Sequence, residues 1–478
     1  MQIQPLRNTN CCCLLLFFVL LSFCANAQTD TLKVFALEDF LQQVVEFHPV
    51  ARQAALLPEE AKSEIRIARG LFDPAIGSKF ARKEFKSTDY YNYWDNVLQI
   101  PTWLGVDLRA GYERNVGSYI NQDKIVPADG LTYAGLSVPL AQGLLIDERR
   151  ATLRQAKLLP LLAEAEQTSE LNKLLLQVTK DYWNWAYYYH KLRLNRQSLE
   201  FAEFRFSAVR QRALAGDLAA IDTIEALIEV QNRKVMLRQS EVEFENSRLL
   251  ISNHLWMQNE QPVELSQKAV PLFAANTPAA MPPEKVQTLL TQALSQHPDL
   301  KKMELKEQQI RINRKLYQNK LLPKLNLEYN VLQSGPGINN EAFSQTHFSN
   351  NYKLGVSFNY PLFLRNERGQ LQLATIKLQD IALEQQQARR EITNGIFAAH
   401  NEMTSLRDQI IQQELLISNA RLLRAGEAAK FQNGESTLFL INAREMSLIN
   451  LEIKYYEMLA KYATSRTVLQ WSAGAVGP

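Results

Sequence analysis

The sequence predicts a mixed fold: a transmembrane β-barrel shared between several chains, with about four strands from each, continuing into a long α-helical coiled-coil barrel. Three observations predict it. An internal tandem repeat divides the chain, two stretches of more than sixty residues are nearly free of proline, and short segments alternate with period two between aromatic flanks. The 478 residues carry a formal net charge of +3, with 46% hydrophobic and 22% charged residues. That composition is globular, and so small a charge gives no support for nucleic-acid binding.

The N-terminus reads as a targeting segment. Arg7 precedes the apolar run Leu14–Leu21, and Ala25-Asn26-Ala27 fits a small-residue cleavage rule, so residues 1–27 are expected to be a secretory signal peptide. The apolar run is short for a membrane anchor, and the bulky Phe23 before Cys24 disfavours lipidation. All four cysteines (Cys11, Cys12, Cys13, Cys24) lie in that segment, so the expected mature chain has neither disulfides nor thiolate metal sites. Beyond residue 27 no apolar run approaches the ~20 residues of a transmembrane helix, so any membrane crossing is left to β-strands.

The repeat is read from landmarks that keep their spacing. His48-Pro49 is answered by His297-Pro298, and Pro74 by Pro323. Ser137-Val-Pro139-Leu140 has a partner in Ser357-Phe-Asn-Tyr-Pro361-Leu362, Glu148-Arg149 in Glu367-Arg368, and Gly216 in Gly434. The first structural repeat is expected over 28–256, with strands within 75–140 and long helices over 146–215 and 218–256. A Pro-, Gln- and Ala-rich linker spans 257–284. The second repeat is expected over 285–471, with strands within 324–363 and long helices over 367–433 and 436–470, followed by a tail, 472–478.

The helices follow from composition. Residues 148–215 contain only Pro160, and 367–433 only Gly369, Gly395 and Gly426, among many Leu, Ala, Gln, Glu and Arg. A helix of ~68 residues is about 100 Å long, which fits a coiled coil or a helical tube. Leu171, Leu174, Leu175 and Val178 among Gln167, Asn172, Lys173, Gln177 and Lys180 give the polar and apolar sides that a water-filled tube needs. The cluster from Tyr182 to Tyr189 is read as packing between neighbouring helices.

The strands follow from alternation. Leu325, Leu327, Tyr329 and Val331 alternate with polar neighbours, as do Leu354, Val356, Phe358 and Tyr360, and Val106, Leu108, Ala110 and Tyr112. A half-buried soluble sheet would show the same period. Aromatic flanks (Tyr90, Tyr91, Tyr93, Trp94, Trp103, Phe348, Tyr352, Phe363) and the polar loop residues Asn339-Asn340-Glu341 favour a membrane barrel. Two strands in the second half and two or four in the first cannot close one, because the smallest barrels need about eight. Several chains must therefore share it. The additional 86–130 decides between about four and six strands per chain.

At this point the residues resemble a known family. The duplicated layout, Pro-terminated strands, long helices and Gly turns are similar to those of the TolC family of outer-membrane efflux proteins. The stretches Ala215-Gly216-Asp217-Leu218-Ala219-Ala220-Ile221-Asp222-Thr223-Ile224-Glu225-Ala226 and Phe431-Gln432-Asn433-Gly434-Glu435-Ser436-Thr437-Leu438 resemble its periplasmic tips. The resemblance implies a homotrimer in the outer membrane of a Gram-negative bacterium, with a large periplasmic portion. It implies a passive conduit reached through a periplasmic adaptor and an inner-membrane transporter of the resistance–nodulation–division or ABC type. The alternative within it is the outer component of type I protein secretion; the alternative of another class is a secreted coiled-coil stalk without a pore.

Candidate gate residues are Gly216, Asp217, Asp222, Glu225, Gly434 and Glu435. Threefold symmetry would turn each acid into a ring of three carboxylates able to act on cations, although acids near a helix start also complement its dipole. Where some relatives carry acidic constriction residues, the resemblance puts Leu440 and Asn442, which weakens a gate from that half. No metalloprotease, Walker or nucleophile-elbow motif occurs, so no enzyme, cofactor or metal is expected. His48 and His297, at equivalent repeat positions before proline, read as helix-end residues.

Overall fold

A computed structural model describes residues 33–273, 278–337 and 349–475. The expected signal segment 1–27, the loop residues Asn339-Asn340-Glu341 and Phe348 lie outside them. The chain opens with β1 (Lys33–Phe35), α1 (Leu37–Phe47) and α2 (Pro49–Gly70). Four strands follow: β2 (Ala75–Phe85), β3 (Thr88–Pro101), β4 (Asp107–Val116) and β5 (Leu131–Pro139). Next come α3 (Glu148–Ala156), α4 (Leu159–Leu214), α5 (Ala220–Ser252) and β6 (Ala269–Pro271). The order then recurs as α6 (Pro283–Gln296), α7 (Pro298–Lys320), β7 (Lys324–Ser334), β8 (Tyr352–Asn359), α8 (Arg365–Gln432) and α9 (Leu438–Ser472).

One strand count is corrected. Among the described residues the sheet has six strands, in the order β2-β3-β4-β5-β7-β8, where the sequence suggested about four. Every neighbouring pair is antiparallel. The region 86–130 holds β3 and β4. The strand β3 hides its period because Tyr91 and Tyr93 lie on the face of Asp95 and Gln99, while Asn92 and Asn96 lie on the face of Trp94 and Leu98. The first long helix is also two pieces. α3 stops at Ala156 and α4 begins with Pro160 in its first turn, where proline's missing donor costs nothing.

The register sorts the sheet into two faces. Ile76, Phe80, Trp94, Leu98, Ile100, Leu108, Leu136, Leu327, Tyr329, Val331, Leu354, Val356 and Phe358 share one face across the strands. Lys79, Asp95, Arg109, Glu113, Ser137, Glu328 and Lys353 share the other, and there Arg109 Nη1 donates to Glu328 Oε1 at 3.0 Å. Ile76, Phe80, Val356 and Phe358 are 64–83% exposed. Soluble monomers rarely leave so large an apolar face to water, and such a face marks a surface that meets lipid or another protein. Among the described residues no helix is long and apolar enough to cross a membrane.

Both His-Pro pairs start helices. His48 Nδ1 accepts from the Val50 amide at 3.2 Å, His297 Nδ1 accepts from the Asp299 amide at 3.2 Å, and Pro49 and Pro298 fill the first helical positions. An acceptor nitrogen must be unprotonated. Burial, assisted by nearby His254, pushes His48 down to about 4, and burial also lowers His297. The unfolded chain binds a proton near pH 6.5; the folded chain resists it until about pH 4. Unfolding therefore takes up protons between those values, so this stability is full above pH 6.5 and is lost as pH falls towards 4. We expect the melting temperature to fall over that window. His48→Ala should cost ~1 kcal/mol at neutral pH and His48→Asn markedly less, as read by thermal melting.

Midway along the helices lies a core of Phe40, Val44, Leu175, Val178, Tyr182, Trp185 and Ile251. Tyr182 Oη donates to the Phe35 carbonyl at 2.8 Å and accepts from the Leu272 amide at 3.1 Å, tying α4 to the short parallel pair β1–β6. The aromatic cluster thus packs, as its sequence suggested. β6 and Leu265 draw the 257–284 segment into the same core. Beyond it, α5 packs on α4, α4 on α9, and α9 on α8.

Candidate functional site

The two helical hairpins end in matching turns. Gly216 has φ +86° and Gly434 φ +79°, the left-handed conformation that a helix C-terminus needs and that glycine adopts without strain. The Asp217 amide donates to the Arg212 carbonyl at 2.9 Å, and the Glu435 amide to the Lys430 carbonyl at 2.9 Å, closing two Schellman-type caps. A Cβ at either glycine would meet nothing within 4 Å, so backbone conformation alone dictates the residue.

The turns lie side by side. Val209 and Ala226 of the first hairpin pack with Leu438 and Ile441 of the second, backed by Phe206, Leu218 and Phe431. Asp217 and Glu435 are exposed, and Asp222 and Glu225 are half-buried in the first turns of α5. None of the four forms an ion pair with the described residues. The structure therefore brings the six sequence-predicted residues to one end of the molecule. Thr437 caps α9 by accepting from the Leu440 amide, while Ser436 Oγ donates to Glu427.

A buried charge cluster lies eleven residues into the second hairpin from Gly434, about 16 Å along the helix axis. Glu445 on α9, 2% exposed, has Arg205 Nη2 of α4 at 2.8 Å and Arg233 Nη1 of α5 at 3.0 Å. Arg233, 1% exposed, also pairs with Glu229 at 2.7 Å and donates to the Ser198 carbonyl at 2.9 Å. Arg205 also donates to Asn442, and Arg424 of α8 approaches Glu445 at 3.9 Å. Four helices from both halves thus meet on one carboxylate. Sequence reasoning missed this site and noted only Asn442. The one available signal was an Arg and a Glu at positions whose helical neighbours, Val230 and Leu448, are apolar.

Higher up, Tyr455 Oη donates to Glu414 at 2.9 Å across α8 and α9, and burial beside that carboxylate raises the phenol. Among the described residues no group of His, Cys, Asp or Glu is arranged to hold a metal ion.

Comparison with known proteins gives three results. Residues 289–470 match the family model for outer membrane efflux proteins. No curated protein matches. Among solved structures, the CmeC outer membrane channel of Campylobacter jejuni is similar with a TM-score of 0.64 and 13% identity, over 92% of this chain and 85% of that one. The MtrE outer membrane channel of Neisseria gonorrhoeae in its open state gives 0.63 and 15%, over 92% and 89%. The outer membrane protein VceC of Vibrio cholerae gives 0.62 and 14%, over 92% and 96%.

Proposed function

We infer, from the match of residues 289–470 to the outer membrane efflux protein model and from the shared fold, that this chain belongs to that family and that three copies assemble into one duct. The protein is an outer-membrane efflux channel with a periplasmic helical extension, and it is not an enzyme. The observation that carries the assembly is the open six-stranded sheet: one face is apolar, and among the described residues β2 and β8 each lack a neighbour on one side. In lipid an unpaired edge is too costly to persist. β2 and β8 run in opposite directions, so β2 of one copy can pair antiparallel with β8 of the next.

The helices repeat the argument. α5 and α8 flank each protomer's helical layer. On α5, Ile221, Ile228, Val235, Val242 and Leu249 recur every seven residues and are 46–71% exposed; on α8, Leu415 and Leu422 do the same at 56% and 71%. A heptad stripe open to water marks an unfilled coiled-coil seam. Its partner here is the edge helix of the next copy. Native mass measurement in detergent should give a trimer, and a soluble monomer would refute the assembly. A periplasmic adaptor and an inner-membrane transporter complete the working system, because among the described residues nothing supplies energy.

Within this reading, Asp217, Asp222, Glu225 and Glu435 form acidic rings around the periplasmic opening. Three carboxylates at one level attract cations and resist anions. Asp222→Ala combined with Glu225→Ala should reduce cation selectivity and raise the tip's permeability to anions. Reversal potentials in planar bilayers test this, and unchanged selectivity would remove these residues from the gate.

A further inference from the structure

Where the sheet meets the helices, its apolar face runs on into two loops. Leu140 extends β5 by one step: its amide donates to the Leu325 carbonyl at 2.7 Å, which keeps both residues on the face of Phe358. From there the chain leads into α3, beside the turn 102–106. Arg150, largely buried, joins the two loops. Its Nη1 donates to the Leu104 carbonyl at 3.3 Å and the Leu144 carbonyl at 3.0 Å, and its Nη2 to the Gly143 carbonyl. The loops so held present Trp103, Leu104 and Leu145, which are 60–75% exposed.

Below the loops α3, leaving the sheet, packs on α7, which returns to it. Ile146, Ala151 and Leu316 form a buried cluster there, and Gln155 Nε2 donates to Asn313 Oδ1 at 2.6 Å. With those sides turned to each other, helical spacing places Arg154 and Lys157 on one flank of the pair with Arg150, and Lys315 on the same flank with Asn319. Asn319 Oδ1 accepts from the Gly143 amide at 2.7 Å, so this flank is the one below the apolar loops. The opposite flank holds Arg149, paired at 2.9 Å with Asp107 on the water-facing side of the sheet. Arg154, Lys157 and Lys315 are exposed, and none makes an ion pair among the described residues. No Asp or Glu occurs from Arg149 to Ala163 or from Gln308 to Leu327. In the second half the places of Arg154 and Lys157 are taken by Leu373 and Ile376, so this cationic flank occurs once per chain.

We propose that this flank is a binding site for an anionic phospholipid of the leaflet nearest the helices. Its acyl chains lie on Trp103, Leu104 and Leu145, and its phosphodiester sits among Arg154, Lys157 and Lys315. The proposal rests on the outer-membrane reading. Arg154 lies about 9 Å and Lys157 about 13 Å below the start of α3, and Lys315 about 8 Å below the end of α7. The headgroup layer under the hydrocarbon is roughly 5–8 Å deep, and long cationic side chains reach up into it while their stems cover apolar surface. Continuity with the lipid face selects a lipid over a soluble anion. The unbalanced positive charge selects an anionic headgroup over a zwitterionic one, whose own ammonium is repelled.

Full-length protein is reconstituted in vesicles of equal parts phosphatidylglycerol and phosphatidylcholine with the same acyl chains. It is then extracted in mild detergent, and the lipids it retains are counted by native mass measurement. Phosphatidylglycerol should be retained over phosphatidylcholine by at least roughly tenfold, a modest share of what three surface cations supply. Inorganic phosphate added during extraction should not displace it; displacement would mean a site for the free anion and overturn the lipid assignment. The triple variant Arg154→Gln, Lys157→Gln, Lys315→Gln should lose the preference and keep its melting temperature, because all three side chains are exposed. Arg66→Gln, near the sheet on α2 with Glu60 and Glu64 on the same helix, should change retention less than about threefold. A loss equal to that of the triple variant would mean that any rim charge suffices and would overturn the site. A wild-type chain that enters neither lipid overturns the membrane reading. One that enters the vesicles with a preference below tenfold, or whose preference survives the triple substitution, overturns the lipid site alone.

Discussion

Glu445→Ala is expected to destabilise the helical region by roughly 3 kcal/mol, because it removes the buried carboxylate that Arg205 and Arg233 share and leaves the buried Arg233 with Glu229 alone. Surface ion pairs rarely exceed ~1 kcal/mol, and most pairs in this chain are of that kind, such as Lys62–Glu59 and Arg238–Glu241. The Glu445 cluster differs because its two deepest members cannot turn to water. Arg205, more exposed, can, so Arg205→Ala should cost less. Replacing the pair together, as Arg233→Met with Glu445→Leu, should recover much of the loss, since a well-filled apolar pair requires no desolvation of charge. Thermal melting of the purified protein measures all three variants. A single substitution at Glu445 that leaves the melting point within one degree would refute the assignment. The same variant should loosen α9 from α4 and α5, read as faster amide exchange confined to the tip-proximal helices.

Val356→Lys should cost roughly 2–4 kcal/mol of barrel stability, because it places an ammonium on the lipid face near mid-height of β8. Its neighbour Ser357 points to the opposite face, and Ser357→Lys should change stability by no more than about 0.5 kcal/mol. Urea titration of the channel reconstituted in lipid vesicles compares the two. Reversed costs would mean that the faces have been assigned the wrong way round, and equal costs that the sheet is not in a bilayer. The comparison is sharp because one residue step reverses the environment completely.

Much of this architecture was legible because it rests on periodicities that survive any partner. Leu325, Leu327, Tyr329 and Val331 alternate whether or not other chains are present, and the absence of proline from 367–433 permits one helix of 68 residues. Gly216 and Gly434 announced their turns because only the left-handed backbone requires glycine there. The strand β3 was harder to read: tyrosines on a water-facing surface and asparagines on a lipid-facing one blur its alternation. The charged cluster was invisible for a different reason. Arg233 and Glu445 look like any solvated helix charge, and their burial follows from α4, α5 and α9 converging, a long-range event with no local sequence signal. Asp222 and Glu225 were found through a motif, and the rings proposed for them need further copies of the chain, which one chain alone cannot display.

The sheet takes four strands from the first half and two from the second, while the helices on either side of it recur in the same order. The internal symmetry of the chain therefore stops at the sheet. A substitution in β3 or β4 has no counterpart in the second half, whereas the turns at Gly216 and Gly434 can each be altered and compared with an equivalent.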